Sequence, residues 1–217
     1  MARILAIDTT GDSGSIALLD GDEVVEQVTL HSPQGFGQIL FQHIRQLLDR
    51  HGMDVRSVDC FAAAAGPGSF TGVRIGLTAV KGLAEATGRP VVAVSNLKAL
   101  AACGAGELRA PLMDARRGEI YGALYSGALE EVSAEVVMKF PAWIESLPAE
   151  ATIVATDVTA FAPMIGDRFA TITAPRELAA AIAGIAHQEF SRGNAKDAAA
   201  IDANYVRRSD AELLWKE

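Results

Sequence analysis

Residues 61–88 read FAAAAGPGSFTGVRIGLTAVKGLAEATG, and the reading of this stretch decides the fold. The apolar run Phe61–Ala65 has the character of a buried strand. A turn rich in glycine and proline follows, where Ser69 or Thr71 can cap a helix. Val73, Leu77, Val80 and Ala84 recur at helical spacing, which predicts a helix of about 16 residues, roughly 24 Å long. Gly72 and Gly76 lie one turn apart within it, each at a penalty of about 1 kcal/mol relative to Ala. A compensating close approach is expected, either of a phosphate or of another protein backbone.

The phosphate reading fails on spacing. A P-loop needs a lysine after its last glycine, and Val73 follows Gly72. A dinucleotide fingerprint needs GxGxxG, and Gly66, Gly68 and Gly72 give one residue too many. The next strand also ends in Ser95-Asn96, where a ribose-binding acid would be needed. A turn that lets backbones pack closely is the reading that remains.

Composition narrows the classes. The 217 residues are half apolar with a formal charge of −8, which argues against autonomous binding to nucleic acid, since phosphate neutralisation needs clustered Lys and Arg. Cys60 and Cys103 lie in or beside apolar segments without CxxC spacing and read as small core residues in a reducing compartment. With no signal region and no long apolar run, a cytoplasmic location is expected.

The chain before the focal stretch supplies a strand, Ile4–Ile7, ending at Asp8-Thr9-Thr10-Gly11, then a hairpin through Gly21-Asp22. An amphipathic helix from Gln38 to Arg50 stops at His51-Gly52. After the focal helix come a strand at 90–94 and a helix from Asn96 to Ala102. The order βββαβαβα resembles one ribonuclease-H-like lobe. Past Gly104-Ala105-Gly106 the pattern restarts with Ala110–Met113, Asp114 and the turn Ala115–Gly118. Strands at 119–125, 129–137, 152–155 and 169–173 follow, with a short helix at Trp143-Ile144, a helical turn at 160–165 and a helix at 176–192. Strand, aspartate turn and hairpin therefore occur twice. The expectation is an α/β protein of actin-like/Hsp70-like (ASKHA) fold with two ribonuclease-H-like lobes, 1–103 and 104–217.

The resemblance sharpens on particular motifs. ILAIDTT at 4–10, GPGSFTGVRIG at 66–76, KGLA at 81–84, VSNL at 94–97 and MDARRGEIY at 113–121 resemble the bacterial TsaB family through about Ala128. The resemblance implies a non-catalytic subunit acting with TsaD and TsaE. Together they place a threonylcarbamoyl group on the adenosine beside the anticodon of tRNAs reading codons that start with A. It implies that TsaD carries the metal and transfers the group, that ATP chemistry belongs to TsaE, and that this chain needs no cofactor of its own and meets tRNA only through the complex. The partner is TsaD, or a second copy when the chain is alone. The alternatives are an autonomous ATP-dependent enzyme of the same superfamily and a metallopeptidase-like protein.

Each alternative needs residues to carry it. Asp8, Thr9, Thr10 and Asp114 occupy the two aspartate turns and are the candidate vestigial nucleotide contacts, with Arg116 and Arg117 crowding the second. No glycine pair follows the strand at 152–155 for an adenosine. The metal-binding HxxxH expected of TsaD corresponds here to Asn96 and Leu100, and His31, His43, His51 and His187 are scattered. No GxSxG or HExxH occurs. The expected working surface is therefore a contact face. Its candidates are Phe70, Gly72, Val73, Arg74, Gly76, Ala79 and Leu83 on the focal helix, with Ile39 and Phe41 on the helix before it.

Overall fold

The computed structural model describes residues 1–206. The described residues divide into two compact units, 1–96 with 177–204, and 97–176 with 205 and 206.

In the first unit, β1 (Arg3–Asp8), β2 (Gly14–Asp20) and β3 (Glu23–Leu30) form an antiparallel meander, followed by α1 (Leu40–Arg50). β4 (Cys60–Ala64) then joins β1 in parallel, α2 (Phe70–Thr87) crosses over, and β5 (Val91–Val94) joins β4 in parallel. The resulting order is β3-β2-β1-β4-β5. Alternate residues of the central strands point to opposite faces. Leu5, Ile7, Ile16, Leu18, Phe61 and Ala63 build a core with α1 and α2 that contains Leu40, Ile44, Leu47, Val73, Leu77 and Val80. The focal helix begins and ends by the expected devices. The Ser69 side chain accepts from the Gly72 amide, and Gly88 closes the helix in the left-handed region.

The second unit begins within α3 (Asn96–Ala102) and repeats the plan with β6 (Leu108–Arg116), β7 (Glu119–Ser126), β8 (Glu131–Lys139), α4 (Phe140–Ser146), β9 (Thr152–Ala155), α5 (Ala162–Ile165) and β10 (Ala170–Thr173). Its sheet runs β10-β9-β6-β7-β8, the same order read from the other edge. Phe140, Trp143 and Ile144 of α4 pack over Leu112, Ile120, Leu124 and Ile153. Gly122 is required there, because a Cβ would meet the Trp143 indole at 2.5 Å. Both sheets have the ribonuclease-H-like arrangement, and the fold is the expected α/β, ASKHA-type one.

The boundary differs from the expected 1–103 and 104–217. α6 (Ala179–Ser191) belongs to the first unit, packing across β1, β2, β4 and β5. Ala179, Ala183 and Ala186 are fully buried, and such small side chains let the helix lie close to a sheet. Its first turn is anchored there too: the Ala179 amide donates to Ser15 Oγ (3.1 Å) and the Ala180 amide to Gln27 Oε1 (2.7 Å). Asn204 continues the return, its amide donating to the Ala65 carbonyl at 2.7 Å. Among the described residues no helix is long and apolar enough to cross a membrane.

Candidate functional site

The first aspartate turn faces inward. Asp8, Thr9 and Thr10 are 3 %, 1 % and 5 % exposed. Asp8 Oδ1 accepts from the Thr10 amide (2.9 Å) and the Thr10 hydroxyl (2.6 Å). Asn96 Nδ2 donates to Thr10 Oγ1 at 2.6 Å, and its Oδ1 accepts from the Gly66 amide at 2.9 Å. Burial pushes the Asp8 carboxyl above its ordinary value, opposed by hydrogen bonds from Thr10 and Asn96. One network thus ties the end of β1 to the glycine turn after β4 and to Asn96, the first residue of α3. The hydroxyls of Thr9 and Thr10, candidate vestigial nucleotide contacts, are both engaged within the chain.

The same turn explains the helix glycines. The Thr9 hydroxyl donates to the Gly72 carbonyl at 2.7 Å. A Cβ on Gly72 would run into the Thr9 carbonyl oxygen, and one on Gly76 would lie 2.9 Å from Thr9 Oγ1. What approaches Gly72 and Gly76 is the chain's own turn at the end of β1, so neither glycine is there to admit a partner. Val73 is likewise 3 % exposed and part of the core. The sequence pattern placed these three on a contact face, and the geometry places them beneath it.

The face that α1 and α2 leave outward is different. Phe41 is 54 % and Phe70 42 % exposed. The Arg74 guanidinium stacks 3.9 Å above the Phe70 ring. Between the helices runs a groove of about 320 Å³ lined by Gly37, Leu40, Phe41, Arg74, Ile75, Thr78 and Ala79. Ala79 forms part of its floor, while Ile39 and Leu83 are partly buried against the core. Of the expected contact residues, the structure gathers Phe41, Arg74 and Ala79 at this groove. Reasoning from sequence missed Ile75 and Thr78, and also Gly82, which is exposed and would meet nothing within 4 Å if given a Cβ. The signal was available: Arg74, Thr78 and Gly82 recur every four residues opposite the core stripe.

The second aspartate turn is built otherwise. Asp114 is exposed, and its Oδ1 accepts from the Arg116 amide at 2.7 Å. Arg116 pairs with Glu119 across the hairpin, with a register shift at Ala115. Arg116 (φ 66°), Arg117 (φ 56°) and Gly118 (φ 71°) are all left-handed, a conformation that disfavours side chains other than Gly, Asn and Asp. Lys139 Nζ donates to the Arg117 carbonyl at 2.8 Å.

Comparison with known proteins gives the family. The TsaB protein (tRNA threonylcarbamoyladenosine biosynthesis protein TsaB) of Bacillus subtilis is 32 % identical, over 99 % of this chain and 98 % of its own length. The chain belongs to the TsaB family. The Escherichia coli protein of that name is 35 % identical over 63 % of this chain and 62 % of its own. Residues 27–207 also match the family described as TsaD, tRNA N6-adenosine threonylcarbamoyltransferase. The crystal structure titled YeaZ from Pseudomonas aeruginosa superposes with a TM-score of 0.78 at 29 % identity, covering 94 % of this chain and all of that one.

Within this TsaB chain the candidate nucleophiles and ligands sit apart. Burial pushes the Cys60 thiol up to about 12 and raises that of Cys103 as well. His51 Nε2 lies 2.8 Å from Glu26 Oε2, and His187 Nδ1 lies 3.3 Å from Asp22 Oδ1. Glu26 is held below the ordinary carboxylate range, first by its hydrogen bond from Arg50 and then by that from His51. No group of three or more His, Cys, Asp or Glu poised for a metal ion occurs among the described residues. Asn96, where the resemblance would place the first histidine of HxxxH in TsaD, serves the Asp8 network instead.

Proposed function

We propose that this chain is the non-catalytic docking subunit of a cytoplasmic tRNA-modifying assembly that forms threonylcarbamoyladenosine, pairing with TsaD through the outward face of α1 and α2, with TsaE joining the pair. The relatives' names support the pathway, since they are called tRNA threonylcarbamoyladenosine biosynthesis proteins. The observation that carries the docking reading is the groove between α1 and α2, with Phe41 and Phe70 exposed beside it. Large aromatic side chains left in water around an apolar groove favour burial against a partner. Gly82 sharpens the point. It weakens α2 by about 1 kcal/mol relative to Ala, and no neighbour among the described residues needs it small.

The test is co-expression with tagged TsaD from the same source, followed by a tRNA modification assay with and without this chain. Modification is expected only when both are present. Gly82→Leu is expected to weaken pairing by at least about tenfold, through a clash at the interface, while circular dichroism and thermal stability stay at the level of the parent. Undisturbed pairing in Gly82→Leu and in Phe41→Asp would remove the α1–α2 face from consideration. Modification by TsaD and TsaE alone at full rate would remove the subunit role.

A further inference from the structure

Asn204 brings the chain back to the first turn of α2. Its amide donates to the Ala65 carbonyl at 2.7 Å. Its carbonyl oxygen lies 3.0 Å from where a Cβ on Gly66 would stand, and the Val73 side chain lies 3.5 Å from that same point. The α2 wall of the groove, from Arg74 to Ala79, begins at the next residue. It ends about 9 Å farther along the axis, at a rise of 1.5 Å per residue.

Beyond Asn204 the sequence continues YVRRSDAELLWKE, residues 205–217. Leu213-Leu214-Trp215 is an apolar triplet in a segment otherwise rich in charge. The chain has two tryptophans, and the other, Trp143, is 2 % exposed in the core of the second unit. Trp215 lies eleven residues past Asn204, a reach of up to about 36 Å for an extended chain. That is several times the length of α2 along the groove, so chain length does not keep the triplet from it.

The groove has the complementary character. Leu40, Phe41, Ile75 and Ala79 stand in its walls, and its volume of about 320 Å³ suits one large apolar side chain. Burying an indole there removes about 150–250 Å² from water. Arg74 and Lys81 give the α2 side positive charge, and the one acid of α2, Glu85, lies near its far end. The triplet is preceded by Asp210 and Glu212, acids that approach a basic rim. Tethering adds to this, because a linked segment is present at millimolar effective concentration. A contact too weak to hold between separate molecules can hold within one.

From this juxtaposition of an apolar groove, the anchored Asn204 and an acidic-apolar tail we infer that Leu213-Leu214-Trp215 seats in the α1–α2 groove of its own chain, and that a partner docks by displacing it. The displacement rests on the reading of α1 and α2 as the docking face, whereas the seat does not. A groove filled about nine-tenths of the time by its own tail binds a partner about tenfold more weakly. The tail thus sets how readily the face engages, and it covers apolar surface that would otherwise invite unselective association.

The test uses the full chain with two variants, Thr78→Arg in the groove and Trp215→Asp in the tail. Acrylamide quenching of tryptophan fluorescence reads the seat with no partner present, since the buried Trp143 gives a constant background. The parent is expected to shield Trp215. Thr78→Arg is expected to expose it, with red-shifted emission and stronger quenching, while circular dichroism stays that of the parent. A Trp215 as accessible in the parent as in a free peptide of residues 205–217, or unchanged by Thr78→Arg, would overturn the seat. Shielding that grows with protein concentration would overturn it in favour of a second copy, and shielding that requires TsaD in favour of the partner. In the second arm, Trp215→Asp is expected to pair with tagged TsaD about tenfold more tightly than the parent. Equal or weaker pairing would overturn the displacement. Because the first arm contains no partner, a shielded Trp215 together with pairing indifferent to Gly82→Leu would strike down the docking face and support the seat.

Discussion

The two aspartate turns occupy the same place in two sheets of the same strand order, and they have opposite fates. At Asp8 the turn is buried, its hydroxyls face inward, and it fastens β1 to α2 and to Asn96. At Asp114 the turn is exposed, basic and left-handed. The first has become part of the scaffold that presents α2, whereas the second retains a surface with charge. One local plan can therefore serve as fastener or as tip, depending on whether short hydroxyl side chains or long cationic ones follow the aspartate.

The sharpest way to break the contrast is Gly72→Ala. A methyl group there collides with the Thr9 carbonyl, so denaturant unfolding should show a loss of about 3 kcal/mol. A loss under about 0.5 kcal/mol would mean that α2 is not keyed to β1 as described. Asp8→Ala comes next. It leaves the Thr10 amide and hydroxyl without their acceptor, with an expected loss of about 2 kcal/mol.

At the other turn the sign reverses. Arg117→Gly removes a left-handed side chain and should stabilise by about 1 kcal/mol, read as a raised urea midpoint. A destabilised variant would show that the arginine side chain supports the turn itself. The smallest effect is in pH dependence. Because the Asp8 carboxyl is raised by burial, the folded state binds its proton more tightly than the unfolded chain does. That contribution is most favourable below the ordinary carboxylate value of about 3.9 and is lost as pH rises through the raised value. The stability difference between the parent and Asp8→Asn should therefore shift in favour of Asn as pH rises across that window, and a difference independent of pH would contradict the buried, raised carboxyl.

How much of this was legible follows from what each pattern encodes. The succession of elements along the chain was readable because apolar runs, aspartate turns and hairpins recur in the same sequence in both units. The core stripe of α2 was readable from Val73, Leu77, Val80 and Ala84, since helical period fixes which residues share a face. The same period could not say what lies opposite Gly72 and Gly76. Their smallness answers the carbonyl and the hydroxyl of Thr9, 63 residues away in sequence from Gly72, and such a partner leaves no local trace. α6 was legible as a helix but not as a member of the first unit. With alanine at 179, 180, 181, 183 and 186 it shows no sharp apolar stripe, and nothing local names the sheet it covers. The left-handed Arg116 and Arg117 escaped notice because their residue types favour the opposite expectation.

The position of α6 also bears on the order in which the protein is made. Residues 97–176 lie between the two segments of the first unit, so a ribosome synthesises the second sheet in full before it reaches Ala179. Until then the first sheet, with Ile4 and Ala6 of β1, lacks the helix that covers its second face, while α1 and α2 already cover the first. The growing chain therefore carries a half-clothed sheet through the synthesis of some 80 residues, from Leu97 to Arg176, about 4–16 s at ordinary elongation rates. In that interval an apolar surface is open to chaperones and to other nascent chains, and the last helix to emerge is the one that closes it.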